Sequence, residues 1–321
     1  MDERDCRLLL EIMRTPFASL EELGRHLGIT GKATKFRLDR LKEVGILGGL
    51  ACGPGPAALG TESRLAVYQD RPIKCDLRDL LRLPNAVWAA ENIPPSWTAL
   101  FYTRPGESLP KGLRSLAGRD PDRVLRITEL DSGAGEVLSP LDWKAMLAVM
   151  GHPGAPLREL AAACGLTART VRTRRDKLLV TGGLFAFPEL DTSREGGAIL
   201  FGAYVRSTLV GGLDAIRLAN SWRLNTHSEP PAAFLYGFVR TYAELRAVEQ
   251  RLRSLPGVDE VLMLVPCGTH SANDRLRGWV RERVDFWERA RGRVPPRFAE
   301  GGTARRPQRD GGRKRTAVAV R

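Results

Sequence analysis

Long apolar runs are missing from this sequence. No stretch approaches the roughly 20 residues that a membrane-spanning helix needs, and the chain opens on Asp2, Glu3, Arg4 and Asp5 where a leader would place a basic segment followed by an apolar one. A cytoplasmic protein without membrane contact is expected. Cysteine is sparse and scattered: Cys6, Cys52, Cys75, Cys164 and Cys267 form no C-x-x-C pair, which argues against a disulfide framework and against a cysteine zinc site. The four histidines, His26, His152, His227 and His270, stand in no metal-ligand spacing, and there is no phosphate-cradling Walker loop, no G-x-S-x-G elbow and no paired-glycine dinucleotide fingerprint. No cofactor, no metal and no catalytic residue is therefore assigned.

What is present is length, apolar content and positive charge. With 321 residues, 43% of them hydrophobic, the chain can build more than one cored domain. Its net charge of +13 is concentrated late: from Arg291 to Arg321 ten basic residues face only Glu300 and Asp310. That segment also holds Pro295, Pro296, Pro307 and several glycines with few large apolar residues, so a disordered basic arm over 293–321 is expected.

Self-similarity at one offset organises the rest. Laying Gly28 on Gly165 also brings Asp5 onto Asp142, Pro16 onto Pro153, Leu23 onto Leu160, Thr30 onto Thr167, Arg37 onto Arg174, Leu41 onto Leu178 and Gly45 onto Gly182. The same offset later pairs Ala66 with Ala203, Trp97 with Phe234, Phe101 with Phe238 and Leu125 with Leu262. The chain reads as a tandem duplication.

Each copy begins with three helices. Leu8, Leu9, Ile12 and Met13 mark a helix over Asp5–Arg14, Ser19 with Glu22 starts a short helix that Gly28 stops, and Thr30 caps a third whose apolar stripe is Phe36, Leu38 and Leu41. In the second copy Gly165 is the turn, Thr167 the cap, and Val171 and Leu178 the buried face. Gly53, Gly55 and Gly60 among Pro54 and Pro56 read as a loop linking to a sheet domain. There, strands are expected at Arg64–Tyr68, Ala86–Ala90, Thr98–Tyr102 and Val124–Ile127, with helices near Leu77–Leu83 and Glu107–Leu116. The second copy places strands at Ile199–Val205, Ser221–Asn225, Ala233–Val239 and Val258–Val265, and a helix at Tyr242–Leu255. The order is βαββαβ, a ferredoxin-like split sandwich. A last helix over Ser271–Arg289 carries Leu276, Trp279, Val280, Val284 and Trp287 on one face, an apolar stripe suited to core or to a subunit contact. The fold class is thus α+β, two tandem copies of a three-helix unit plus sandwich: 1–50, 61–131, 138–190, 197–292, then the tail.

The stretch Gly165-Leu166-Thr167-Ala168-Arg169-Thr170-Val171-Arg172-Thr173-Arg174-Arg175-Asp176-Lys177-Leu178 resembles the recognition-helix signature of the Lrp/AsnC family of winged helix-turn-helix transcriptional regulators. Gly28-Ile29-Thr30-Gly31-Lys32-Ala33-Thr34-Lys35-Phe36-Arg37-Leu38-Asp39-Arg40-Leu41 resembles it more loosely, with Thr34 where the family usually has Val. The resemblance implies a winged helix-turn-helix joined to a βαββαβ effector and assembly domain, double-stranded DNA as partner, and a small-molecule effector such as an amino acid. A recognition helix needs cations and small hydroxyls on its outer face. Arg169, Arg172 and Thr173 are assigned to base edges, and Thr167, Arg174 and Lys177 to phosphates; in the first copy Lys32 and Lys35 face bases, and Thr30, Arg37 and Arg40 the backbone. An Arg at position 37 or 174 can equally brace the domain through an internal ion pair. Two unlike recognition helices in one chain suit an asymmetric site, the two sheets are expected to pair face to face, and a homodimer on top of that is a further expectation.

An enzyme is the alternative. Siroheme decarboxylases resemble the same family, also as fused units, and place histidine and arginine around a tetrapyrrole; here the corresponding strands read Trp97-Thr98-Ala99-Leu100-Phe101 and Phe234-Leu235-Tyr236-Gly237-Phe238, with only His227 nearby. A third class is an architectural role in which the basic tail alone binds nucleic acid. Trp88, Trp97, Trp222 and Tyr236 are candidates to line an effector pocket, though large aromatics on sheet faces are more often core.

Overall fold

A computed structural model describes residues 1–68, 76–109, 112–113, 137–191, 197–208 and 232–290 in full, and the strands at 125–130 and 221–225 by their backbone. The basic arm of 293–321 and His227 lie outside the described residues, as does half of the helix expected at Glu107–Leu116, of which residues 107–109 are not helical. No described helix is long and apolar enough to cross a membrane.

The first copy opens with α1 (Glu3–Arg14), α2 (Leu20–Leu27) and α3 (Gly31–Glu43), followed by β1 (Leu47–Pro54) and a one-turn helix, α4 (Pro56–Leu59). Its sheet comprises β2 (Glu62–Tyr68), α5 (Leu77–Arg82), β3 (Ala86–Ile93), β4 (Ser96–Thr103) and β5 (Leu125–Leu130). The second copy repeats the plan with α6 (Pro140–Gly151), α7 (Leu157–Cys164), α8 (Ala168–Val180) and β6 (Leu184–Leu190). Then come β7 (Ile199–Ser207), β8 (Ser221–Asn225), β9 (Ala232–Val239), α9 (Tyr242–Arg253), β10 (Val258–Ser271) and α10 (Asn273–Arg289).

Both sandwiches adopt the same strand order, first-copy β5-β2-β4-β3 and second-copy β10-β7-β9-β8, antiparallel throughout. β10 runs well past the Val265 end expected from sequence. Its extra residues pair with β3, His270 opposite Ala89 and Ser271 opposite Trp88, so the two sheets become one sheet of eight strands. They also meet face to face, where Leu65 and Val67 from β2 share a buried cluster with Tyr204, Phe234 and Leu264 of the second copy.

The three-helix units are crossed over. The first packs Leu9, Leu10, Ile12 and Met13 of α1 and Leu41 of α3 against Phe238, with Leu200 and Tyr236 beside it, all from the second sheet. The second unit packs Trp143, Met146, Val171 and Leu178 with Val87 and Tyr102 of the first sheet. The C-terminal α10 closes this core with Leu276, Val280 and Val284, and its Arg275 guanidinium donates to the carbonyls of Leu81, Leu83 and Ala86 at 2.8, 3.1 and 2.6 Å, satisfying the open end of α5. The stripe on α10 is thus core.

The segment read as a loose linker is a tight joint. β1 pairs with β6 so that Leu50 faces Pro188 and Ala51 faces Phe187, two pairs that the repeat exchanges, and a local pseudo-two-fold axis passes between them. The Gly55 N–H donates to the Gly183 carbonyl at 2.9 Å, and a Cβ on Gly55 would fall 1.8 Å from the Gly182 oxygen. Glycine is required here for close approach.

Candidate DNA-binding surface

Local sequence positions α3 and α8 in the same manner. Gly28 and Gly165 end the preceding helices in the left-handed region, at φ 67° and 68°, where a side chain is strained. Thr30 then accepts from the Ala33 N–H at 3.2 Å and Thr167 from the Thr170 N–H at 3.1 Å, capping each helix two residues after the glycine.

The inner face of each helix is set by one i, i+7 pair. Thr34 and Leu41 are buried in α3, Val171 and Leu178 in α8. Thr34 occupies the place of Val171 at no polar cost, because its hydroxyl donates to the Thr30 carbonyl at 3.0 Å. Phe36, expected in the apolar stripe, is 68% exposed. Two residues beyond Thr34 is about 200° around a helix, which turns Phe36 to the opposite side.

Outward, α3 presents Lys32, Lys35, Phe36 and Asp39, and α8 presents Arg169, Arg172, Thr173 and Asp176 at the equivalent i, i+3, i+4, i+7 positions. Lys32, Arg169 and Arg172 make no ion pair among the described residues, whereas Lys35 is held by Asp39 one turn on. Among the described residues the second helix therefore carries two uncommitted guanidinium groups in its first turns, and the first helix a single uncommitted ammonium there, Lys32.

Four cations assigned from sequence to phosphates, two of them (Arg37 and Arg174) with an internal ion pair as the equal alternative, pair with buried carboxylates. Asp5, fully buried, is the third residue of α1, where its carboxylate accepts from the Asp2 N–H at 3.0 Å while its own N–H donates to Asp2 at 2.9 Å. The same carboxylate takes Arg37 at 2.7 Å and also Arg40. In the second copy Asp142 accepts from the Ser139 N–H at 2.8 Å and binds Arg174 at 3.2 Å and Lys177 at 3.7 Å. A buried carboxylate needs counter-charge, and each recognition helix supplies it from the same two positions of the repeat. Burial alone would raise the Asp142 carboxyl, but the Ser139 hydroxyl and N–H, with Lys177 and Arg174, outweigh it and hold the group below the ordinary carboxylate range.

Among the described residues no group of histidine, cysteine, aspartate and glutamate could hold a metal ion. Burial pushes the Cys6 thiol up to about 11 and that of Cys52 to about 12, so neither is a nucleophile at neutral pH. Trp97 is buried and stacks on Tyr68, and Trp88 packs beside the second helical unit, which makes both core, while the side chain of Trp222 lies outside the described residues. A cavity of about 270 Å³ sits between α1, the end of β6, the second sheet and the β3–β10 joint, bordered by Leu9, Ile46, Ile93, Asp191, Phe238 and Cys267. Sequence reasoning missed it, since its walls come from both copies.

Comparison with known proteins matches residues 1–47 to the family described as winged helix-turn-helix DNA-binding. Residues 1–47 form a winged helix-turn-helix. The chain is 31% identical over 93 residues to an uncharacterized HTH-type transcriptional regulator, PH0045, of Pyrococcus horikoshii, a match covering 29% of this chain and 59% of that relative. Among solved structures, the siroheme decarboxylase NirDL is similar at 13% identity and a TM-score of 0.43, covering 89% of this chain and 100% of that one. AsnC of E. coli aligns at 15% identity and a TM-score of 0.28, over 40% of this chain and 92% of its own. The transcriptional regulator NMB0573 of Neisseria meningitidis, in complex with L-Met, aligns at 12% identity and a TM-score of 0.26, over 43% and 96%. The second winged helix-turn-helix rests on the repeat and on its matching geometry.

Proposed function

We propose that this chain is a cytoplasmic, sequence-specific DNA-binding transcriptional regulator whose two recognition helices, α3 and α8, read the two unlike halves of one asymmetric site. The observation that carries the reading is the outward face of α8: Arg169 and Arg172 stand one turn apart, without an ion-pair partner among the described residues, on a helix whose other cations are held in ion pairs. Arginine in this position suits bidentate recognition of guanine in the major groove. The family match over residues 1–47 and the similarity to an HTH-type regulator support the same reading. Lys32 and Lys35 take the equivalent role in the first copy, and Thr30 and Thr167, at the helix N-termini, suit phosphate contacts. With β1 paired to β6, the spacing between the two helices is built into the chain.

A small effector, such as an amino acid, has a natural place in the cavity beside α1. Its walls join the first winged helix-turn-helix to the second sheet, so occupancy there bears on the placement of α3.

The test is binding to fragmented genomic DNA at physiological salt, wild type against the double substitution Arg169→Ala with Arg172→Ala. A discrete set of enriched fragments, lost in the variant, is the expected result. Unselective binding that vanishes with added salt rejects the specific-regulator reading.

A further inference from the structure

Phe36 is the largest apolar side chain on the outward faces of α3 and α8, where the other exposed one, Val180, stands at the last residue of α8; at 68% exposure Phe36 gives the fold almost no burial in return. It belongs to none of the hydrophobic clusters of the described residues. Its neighbours on that face are Lys32 one turn before it and Lys35 beside it, so whatever covers Phe36 also meets positive charge. A surface that is polyanionic yet carries isolated apolar spots at side-chain depth is the major groove, where the C5 methyl of thymine is the apolar feature of the base edges. The repeat supplies a second observation. The equivalent of Phe36 on α8 is Thr173, also exposed and flanked by Arg169 and Arg172, and its γ-methyl offers the same kind of contact from a smaller side chain.

We infer that Phe36 is a specificity-determining residue that packs on a thymine methyl in the half-site under α3, and that Thr173 does so under α8. This rests on the DNA-binding reading above. The larger ring reaches farther from its helix axis, so the two half-sites place their thymines differently with respect to the flanking cation contacts.

The test starts from a duplex that the full-length protein selects from a random-sequence library. The half-site under α3 is the one whose hydroxyl-radical protection is lost in Lys32→Ala. Resynthesis with deoxyuridine for thymidine removes only the C5 methyl. One such replacement at the contacted position lowers wild-type affinity about four-fold, the value of burying one methyl group. Phe36→Ala weakens binding to the thymidine duplex by a similar factor and is indifferent to the replacement; because Phe36 is exposed, the variant melts at the wild-type temperature. Thr173→Ser behaves likewise in the other half-site. If deoxyuridine at every thymidine of the α3 half-site leaves wild-type affinity unchanged, or if Phe36→Ala remains sensitive to it, the inference is overturned and the regulator reading survives. If no duplex is selected from the library, both fall.

Discussion

The Arg175 guanidinium lies over the ring of Phe17, 4.7 Å from its centroid. Arg175 is on α8 of the second copy and Phe17 in the α1–α2 turn of the first, so this contact ties the two winged helix-turn-helix units together beside the joint of β1 and β6. A cation over an aromatic face contributes about 0.5–1 kcal/mol at a partly exposed site. Phe17→Ala should lower the melting temperature by a few degrees and weaken binding to a two-half-site duplex. Its affinity for a duplex carrying either half alone should stay close to wild type, and a loss on the single halves as large as on the pair would refute a bridging role.

Arg37→Ala and Arg174→Ala should act on folding before they act on recognition. Each removes one of two cations from a buried carboxylate, which costs about 2–4 kcal/mol when the remaining charge is left poorly paired. Chemical denaturation reads the loss. Restoring stability by neutralising the partner, as in Arg37→Ala with Asp5→Asn, should recover about half of it, and sequence preference among bound fragments should be that of the wild type in both variants.

The acid limit of the second copy follows from Asp142. Its folded carboxyl is held below the ordinary range, so it contributes stability that is fully present above the unfolded value of about 3.9 and is lost as pH falls through the lower folded value. Wild type and Asp142→Asn should therefore differ by a constant amount in unfolding free energy from neutral pH to about pH 5, and converge below about pH 4. Asp2 behaves in the same sense: burial opposes, but hydrogen bonds from Arg37 and from the Asp5 N–H prevail. A gap that widens on acidification would contradict the assignment.

Gly55→Ala should be among the most damaging single-methyl changes in the chain. The new carbon would meet the Gly182 oxygen at 1.8 Å, against backbone that cannot swing aside, and overpacking of this kind costs about 1–3 kcal/mol or more. Amide exchange along β1 and β6 should accelerate together, while the residues of β2 and β4 keep their protection. Uniform acceleration everywhere would mean that the joint is not a separable unit.

Much of this architecture is legible in the sequence, because the signals are local. Gly28 and Thr30, with Gly165 and Thr167, announce a turn and a cap within three residues, and Val171 with Leu178 gives the inner face of α8 from periodicity alone. Ser221–Asn225 is read as a strand to the residue. The illegible parts depend on partners far along the chain. Nothing near Gly55 reveals that the Gly182 carbonyl sits against it, and nothing near Val265 reveals that β10 continues to Ser271 because β3 offers an open edge. The same holds within the site. Arg40 and Lys177 read as phosphate ligands by residue type, Arg37 and Arg174 as phosphate ligands or internal braces, and only the burial of Asp5 and Asp142 shows that all four pair within the scaffold. Phe36 reads as core by composition, and only the phase of the helix set by Thr34 and Leu41 turns it outward.

The strands β1 and β6 belong to one covalent chain. Two such partners meet at a local concentration fixed by the polypeptide between them, which no dilution of the protein changes. Separate subunits joined through the same strands would part below their dissociation constant, and their occupancy of a paired site would then fall with the square of the amount present. In the proposed regulator the decline would be in simple proportion, and both helices would stay in register at copy numbers where a two-subunit assembly would already have come apart.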